Sequence, residues 1–220
     1  MTIGVMGALD EEVKLISESM AVKHIEGHLR RTFYAGDLAH HRVIAVRCGV
    51  GKVRAAACTQ FLIVHFGITR LIVAGIAGAL SPELSIGDLV VSQKTLQWDF
   101  QAVGTEQRWY PAEPKLVTAA LEAARRLGYR ARAGSVLTGD QPVTTVKHKQ
   151  ELWHTYRGDC VEMEGAAAAH VCSMNNIPFV LVRVISDLAD ENAVHSVTSS
   201  FPSLALLPAR VVVEMIKQLD

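Results

Sequence analysis

The sequence has no net charge: 22 Lys and Arg residues balance 22 Asp and Glu over 220 residues. No long basic run breaks that balance, so the electrostatic footprint of a nucleic-acid-binding protein is missing. Cysteine is scarce. Cys48, Cys58, Cys160 and Cys172 form neither a CxxC pair nor a Cys/His zinc pattern. Each sits in an apolar segment, where a buried free thiol is expected. No apolar stretch reaches the length of a membrane span. Met1 leads straight into a strand-like run without a basic leader region, which argues against a secretory signal. Internal repeats, low-complexity tracts and linker-like composition are absent too. What remains is the expectation of a cytoplasmic, soluble protein with one domain over residues 1–220. Half the residues are hydrophobic and a fifth charged, a globular balance.

Short apolar runs alternate with amphipathic stretches. "TIGVMG", "HRVIAVRCG", "RLIVAGIAG", "GDLVVSQKTL", "ARAGSVLTGD" and "FVLVRVISD" read as strands. Between them, helices are expected from about Asp10 to Met20, in "KVRAAACTQFLIVHF", in "PKLVTAALEAARRLG" with its glycine stop, and in "EMEGAAAAHVCSMNN". The tail from about Ser200 reads as helical, with Pro208 starting or kinking a segment. Continuous apolar strands interleaved with helices indicate a central sheet covered on both faces, an α/β fold.

The glycine-rich turns match no nucleotide motif. "GVGK" (Gly49 to Lys52) lacks the first glycine and the Ser/Thr of a phosphate-binding loop, and "GVMGAL" lacks the third glycine of the dinucleotide fingerprint. "AGIAGAL" reads equally as a tight turn or as a place where backbone comes close to a ligand.

In open α/β sheets, ligands bind beyond the carboxyl ends of the strands, and here those ends carry acids. Asp10, Glu11 and Glu12 follow the first strand, Asp140 follows "GSVLTG", Asp187 follows "LVRVIS", and Glu162 and Glu164 flank Met163 in an otherwise apolar segment. Each has an ordinary alternative. Three acids in a first helical turn complement the macrodipole, Asp187 suits an N-cap, and Asp140 suits a turn. Taken together they fit one reaction. Cleaving an N-glycosidic bond to a purine needs a proton donor for the base, a general base for water, and an acceptor for ribose hydroxyls that tightens as positive charge develops. Three separated carboxylates meet those needs without a metal.

"IGVMGALDEEV", "CGVGKVRAAA", "VAGIAGAL", "IGDLVVS", "TGDQ", "VEMEGAAAAHVC" and "VRVISDLAD" occur in this order. In these motifs the sequence resembles the 5'-methylthioadenosine/S-adenosylhomocysteine nucleosidases of the purine nucleoside phosphorylase superfamily. The resemblance covers nearly the whole chain, and is weakest between Trp98 and Pro114 and in the last two dozen residues. It implies a three-layer α/β/α sandwich around a mixed sheet, a homodimer, a small-molecule nucleoside substrate and no cofactor. It also implies roles. Glu12 activates the attacking water, with Arg183 near it. Glu164 accepts the ribose hydroxyls, and Met163 packs on the sugar. Asp187, after Ser186, protonates N7 of adenine. Val143 meets the purine edge, Leu9 lines the sugar side and Val50 the alkylthio side. Glu162 is supportive.

Three positions depart from the family pattern. Ile76 stands in Gly75-Ile76-Ala77-Gly78 where a serine is usual, which removes a hydroxyl near the nucleophile. Pro142 replaces a phenylalanine that stacks on the purine, a loss of roughly 1 kcal/mol. "QWDFQ" replaces HDxD, so Trp98 or Phe100 is expected to rebuild the aromatic contact, and Phe100 and Val103 are candidates for closing the partner's alkylthio pocket. Alternatives to the nucleosidase reading are an aminodeoxyfutalosine nucleosidase of the same mechanism, a phosphorylase, and a nucleoside-binding protein without catalysis. Against a phosphorylase stands the acidic first turn, which repels a phosphate dianion.

Overall fold

The computed structural model describes residues 1–100, 107–193, 195 and 202–219. The apolar runs become β1 (Thr2–Gly7), β4 (His41–Arg47), β5 (Arg70–Ala79), β6 (Leu89–Gln97), β8 (Ala131–Thr138) and β10 (Phe179–Asp187) of one mixed sheet. β10 is buried at every position, its apolar residues as expected of a central strand and Arg183, Ser186 and Asp187 through partners described below. β1 lies parallel between β4 and β5, and β10 runs parallel on the other side of β5. β6 is antiparallel to β10 and parallel to β8. A short β9 (Cys160–Glu162) runs parallel to β8 and antiparallel to the end of β5. The path β5-β10-β6-β8-β9 therefore closes on itself, while β4 continues outward into a hairpin of β3 (Arg31–Leu38) and β2 (Ala21–His28). A two-residue β7 (Tyr110–Pro111) pairs with β6.

Helices cover the sheet. α1 (Asp10–Ser19) and α3 (Pro114–Arg126) pack on α6 (Leu206–Ile216), and α2 (Lys52–Phe66) packs on α5 (Gly165–Met174). The result is the expected three-layer α/β/α arrangement. α2 spans the expected residues because Gly51 precedes it with φ 104° and Gly67 ends it at φ 63°, backbone positions that favour glycine. Pro208 sits in the first turn of α6, where its missing N–H forfeits no intrahelical bond. The four cysteines are free and buried, and burial pushes their thiols up, away from the reactive thiolate.

Some elements are not announced by the sequence pattern. β2 is largely exposed and lacks an apolar alternation, and α4 (Val146–Tyr156) buries only Leu152. One boundary is corrected. The helix expected from Glu162 begins at Gly165, because Cys160 to Glu162 are taken into the sheet between β8 and β5. Strand pairing on both sides outweighs local helical preference there. A second small core of Leu80, Leu137, Val143, Leu152 and Val161 anchors the loop after β8 over that end of the sheet.

Candidate active site

A cavity of about 310 Å³ opens beyond the carboxyl ends of β1, β4, β5, β8, β9 and β10, where an α/β sheet binds its ligands. Its wall includes Leu9, Glu12, Val50, Ile76, Pro142 and Val143. Met163, Glu164, Ser186 and Asp187 complete the set of expected residues in the lining. Asp10 and Asp140 take no part. Asp10 pairs with Arg47 at 2.9 Å, and Asp140 pairs with Lys52 at 3.2 Å beside Asp99.

Glu12 is 2% exposed. It is the third residue of α1 and reaches back over the turn from β1. Oε2 accepts the N–H groups of Ala8 (2.6 Å) and Leu9 (3.0 Å), and Oε1 accepts that of Ile76 (3.1 Å). These bonds satisfy backbone donors that a helix start leaves open, and they fix the carboxylate toward β5. The hydroxyl lost at Ile76 therefore leaves a backbone donor in place. Burial pushes the Glu12 carboxyl above its ordinary range against the pull of Arg183, which suits a proton acceptor.

Glu162 and Glu164 face different partners. Glu162 accepts the Thr138 hydroxyl, the backbone N–H groups of Glu164 (3.0 Å) and Gly165 (2.8 Å), and Arg183 Nη2 at 2.5 Å. It thereby ties the start of α5 to the middle of β10. Arg183 is 1% exposed. Its attraction to Glu162, Glu164 and Glu12 outweighs the cost of burying the guanidinium and keeps it charged. The space for this network comes from glycine. A Cβ at Gly75 would lie 2.8 Å from Glu12 Oε1 and collide with Arg183. Arg183 itself stays behind the cavity wall, holding Glu162 from below.

Glu164 caps α5 at φ −131°, and its Oε1 accepts the Gly51 N–H at 2.7 Å. Burial first, then the nearby Glu162 charge, pushes its carboxyl up to about 8. The folded, unliganded protein therefore favours its protonated form more than the unfolded chain does. Between the unfolded value of 4.5 and about 8, the folded state binds more protons, so stability falls as pH rises through that window. The unliganded protein is expected to melt at lower temperature at pH 8.5 than at pH 6. Glu164→Gln should flatten this slope, an effect on the order of a few kcal/mol. Thermal melts across pH check it, and an identical slope in the variant would contradict it.

Asp187 ends β10 at a register shift against β5, which turns its side chain across Gly78. A Cβ at Gly78 would lie 2.8 Å from Asp187 Oδ1, so the small residue is needed there. Oδ2 accepts the Ser186 hydroxyl (2.8 Å) and Oδ1 the Ala189 N–H (2.9 Å). Burial raises the Asp187 carboxyl despite both bonds, which favours carriage of a proton.

Neither aromatic expected to restore the purine contact lines the cavity. Trp98 packs edge-on against His148, and Gly139 fits beneath its indole. Phe100 is 47% exposed and lies against His170. Alternation beyond β6 turns Trp98 into the second core and Phe100 outward. Val103 lies outside the described residues. The cavity wall also includes Thr144 and Ala193, which the motif pattern does not single out, and Glu162, expected only in a supporting role. Gly51 was legible as a loop glycine, but its bond to Glu164 spans 113 positions and has no local signal.

Chemically, the cavity sets one buried carboxylate against another that is biased toward protonation, with a third between β4 and α5. That arrangement can deprotonate a water and protonate a leaving group across one bound molecule. A family model of the phosphorylase superfamily matches residues 2–217. The aminodeoxyfutalosine nucleosidase of Campylobacter jejuni is 31% identical and the 5'-methylthioadenosine/S-adenosylhomocysteine nucleosidase of Tolumonas auensis 32% identical, each match covering 100% of both chains. The crystal structure of the corresponding Neisseria meningitidis nucleosidase, in complex with methylthio-immucillin-A, superposes with a TM-score of 0.95 at 31% identity and covers 99% of each chain. With its three carboxylates meeting in one cavity and its whole length matched, the chain belongs to the 5'-methylthioadenosine/S-adenosylhomocysteine nucleosidase family of the phosphorylase superfamily.

Proposed function

We propose that this protein hydrolyses the N-glycosidic bond of 5'-methylthioadenosine and S-adenosylhomocysteine, releasing adenine and the thioribose product. The observation that carries the choice of water over phosphate is electrostatic. Glu12, Glu162, Glu164 and Asp187 line the cavity, and among the described residues no Lys or Arg does. A phosphate dianion would find no cation in that lining to hold it, and would meet repulsion from each carboxylate that ionises.

In this reading Glu12 takes a proton from water as the oxygen attacks C1' of the ribose. The C1'–N9 bond breaks, its electron pair leaves with the base, and Asp187 delivers a proton to N7. Ser186 and the Ala189 N–H fix the direction of that proton. Glu164, held by Gly51 and ionised in the substrate complex, accepts the ribose hydroxyls and stabilises the positive charge growing on the sugar. Both protonation states are then reset through solvent. Met163 and Leu9 pack on the sugar, Val143 and Pro142 on the purine, and Val50 beside the 5' substituent. Arg183 positions Glu12 and keeps Glu162 compensated. The protein acts as a cytoplasmic homodimer, with Phe100 closing the partner's cavity.

A second reading has one specific support. The Campylobacter jejuni relative named for aminodeoxyfutalosine is as similar as the Tolumonas auensis one. Steady-state kcat/KM for 5'-methylthioadenosine, S-adenosylhomocysteine and aminodeoxyfutalosine separates the two. Efficient cleavage of both thionucleosides is expected. Cleavage of aminodeoxyfutalosine alone would overturn the substrate assignment while leaving the hydrolysis intact. No helix among the described residues is long and apolar enough to cross a membrane.

A further inference from the structure

Away from the cavity, "HIEGH" (His24 to His28) forms the second half of β2. Strand alternation puts His24, Glu26 and His28 on one face. That face carries Phe33, paired across the strands with Glu26 and fully buried. The C-terminal part of α2 packs there, and its Phe61 ring sits 5.2 Å from Phe33. His65, one helical turn after Phe61, is thereby brought to Glu26 from a separate element.

Three ligand atoms converge. Glu26 Oε2 lies 2.8 Å from His28 Nε2 and 3.2 Å from His65 Nε2, and all three atoms are within 4.8 Å of one another. His24 Nε2 lies 3.8 Å from the other oxygen, Oε1. Phe61 holds both ordered rings, stacked on His65 at 4.7 Å and packed on His28 at 4.9 Å. None of these residues lines the catalytic cavity.

We propose that Glu26, His28 and His65 form a surface site for a divalent transition metal of the zinc class, with His24 placed to supply a fourth ligand. Two imidazoles and a carboxylate are borderline donors that suit Zn2+ rather than Mg2+ or Ca2+. In a tetrahedral zinc site, ligand atoms about 2.0–2.2 Å from the metal stand roughly 3.3 Å apart, so small side-chain rotations admit the ion. Each bound Nε2 gives up its proton, and the neutral ring carries its hydrogen on Nδ1 instead. The ion would tie the edge hairpin to the end of α2, adding to fold stability through preferential binding to the folded state.

The test is calorimetric titration of untagged, metal-stripped protein with Zn2+, alongside Co2+ absorption spectra. One ion per chain is expected to bind to the wild type, with a visible ligand-field band for Co2+ and a higher melting temperature with Zn2+. His65→Ala and, separately, Glu26→Gln should weaken Zn2+ binding by about a hundredfold, at least as much as losing a hydrogen-bond partner of a metal ligand costs. Both variants should keep wild-type nucleosidase activity, which verifies their fold. Absence of binding to the wild type, or equal affinity in both active variants, would overturn the site.

Discussion

Glu12→Gln is expected to bind nucleoside and scarcely turn it over. The substitution keeps the shape of the side chain and removes its capacity to take a proton. General-base loss costs on the order of 10²–10⁴ in rate, and that loss should appear in kcat with little change in the affinity for 5'-methylthioadenosine. A stability cost accompanies it. Glu12 accepts three backbone N–H groups through two oxygens, whereas glutamine has one oxygen. With that oxygen turned to Ala8 and Leu9, the amide nitrogen faces the Ile76 N–H, a donor against a donor, at about 1–3 kcal/mol. Binding measured beside single-turnover rates separates the two effects. A variant with wild-type kcat would remove Glu12 from the reaction.

Asp187→Asn carries the second large effect. The asparagine oxygen can keep the Ala189 N–H bond, and the Ser186 hydroxyl can rotate to accept from the new amide. The site therefore keeps its geometry and can still donate a hydrogen bond to N7. It can no longer transfer a proton, so the base must leave as an anion. A fall of about 10²–10⁴ in kcat with nearly constant KM is expected. Substrates whose base leaves more readily should be affected less. Equal rates for the variant and wild type would assign the proton to another donor.

Much of this was legible because the parts that make the site lie at strand ends. Six apolar-rich runs mark the largely buried strands, and the acids that follow them come together once those strands share a sheet. The α2 boundaries were legible because glycines flank it. Other features depend on contacts distant in sequence. Cys160 to Glu162 look helical beside four alanines, and only pairing with β8 and β5 makes them a strand. The Arg183–Glu162 bond, buried within that frame, has no local signature. Trp98 and Phe100 suggested purine stacking, but strand alternation directs one into a core and the other outward. β2 went unread because an edge strand open to water needs no hydrophobic alternation. Its two-residue spacing of His24, Glu26 and His28 was nevertheless present, and what made it a cluster was His65 arriving from α2.

The most direct test of the central claim is incubation of the protein with 5'-methylthioadenosine, with and without phosphate, identifying both products. Free adenine and methylthioribose at a rate independent of phosphate are expected, since among the described residues the cavity lining offers no cation to an anionic nucleophile. Methylthioribose-1-phosphate, formed only when phosphate is supplied, would contradict the account and take the water from Glu12.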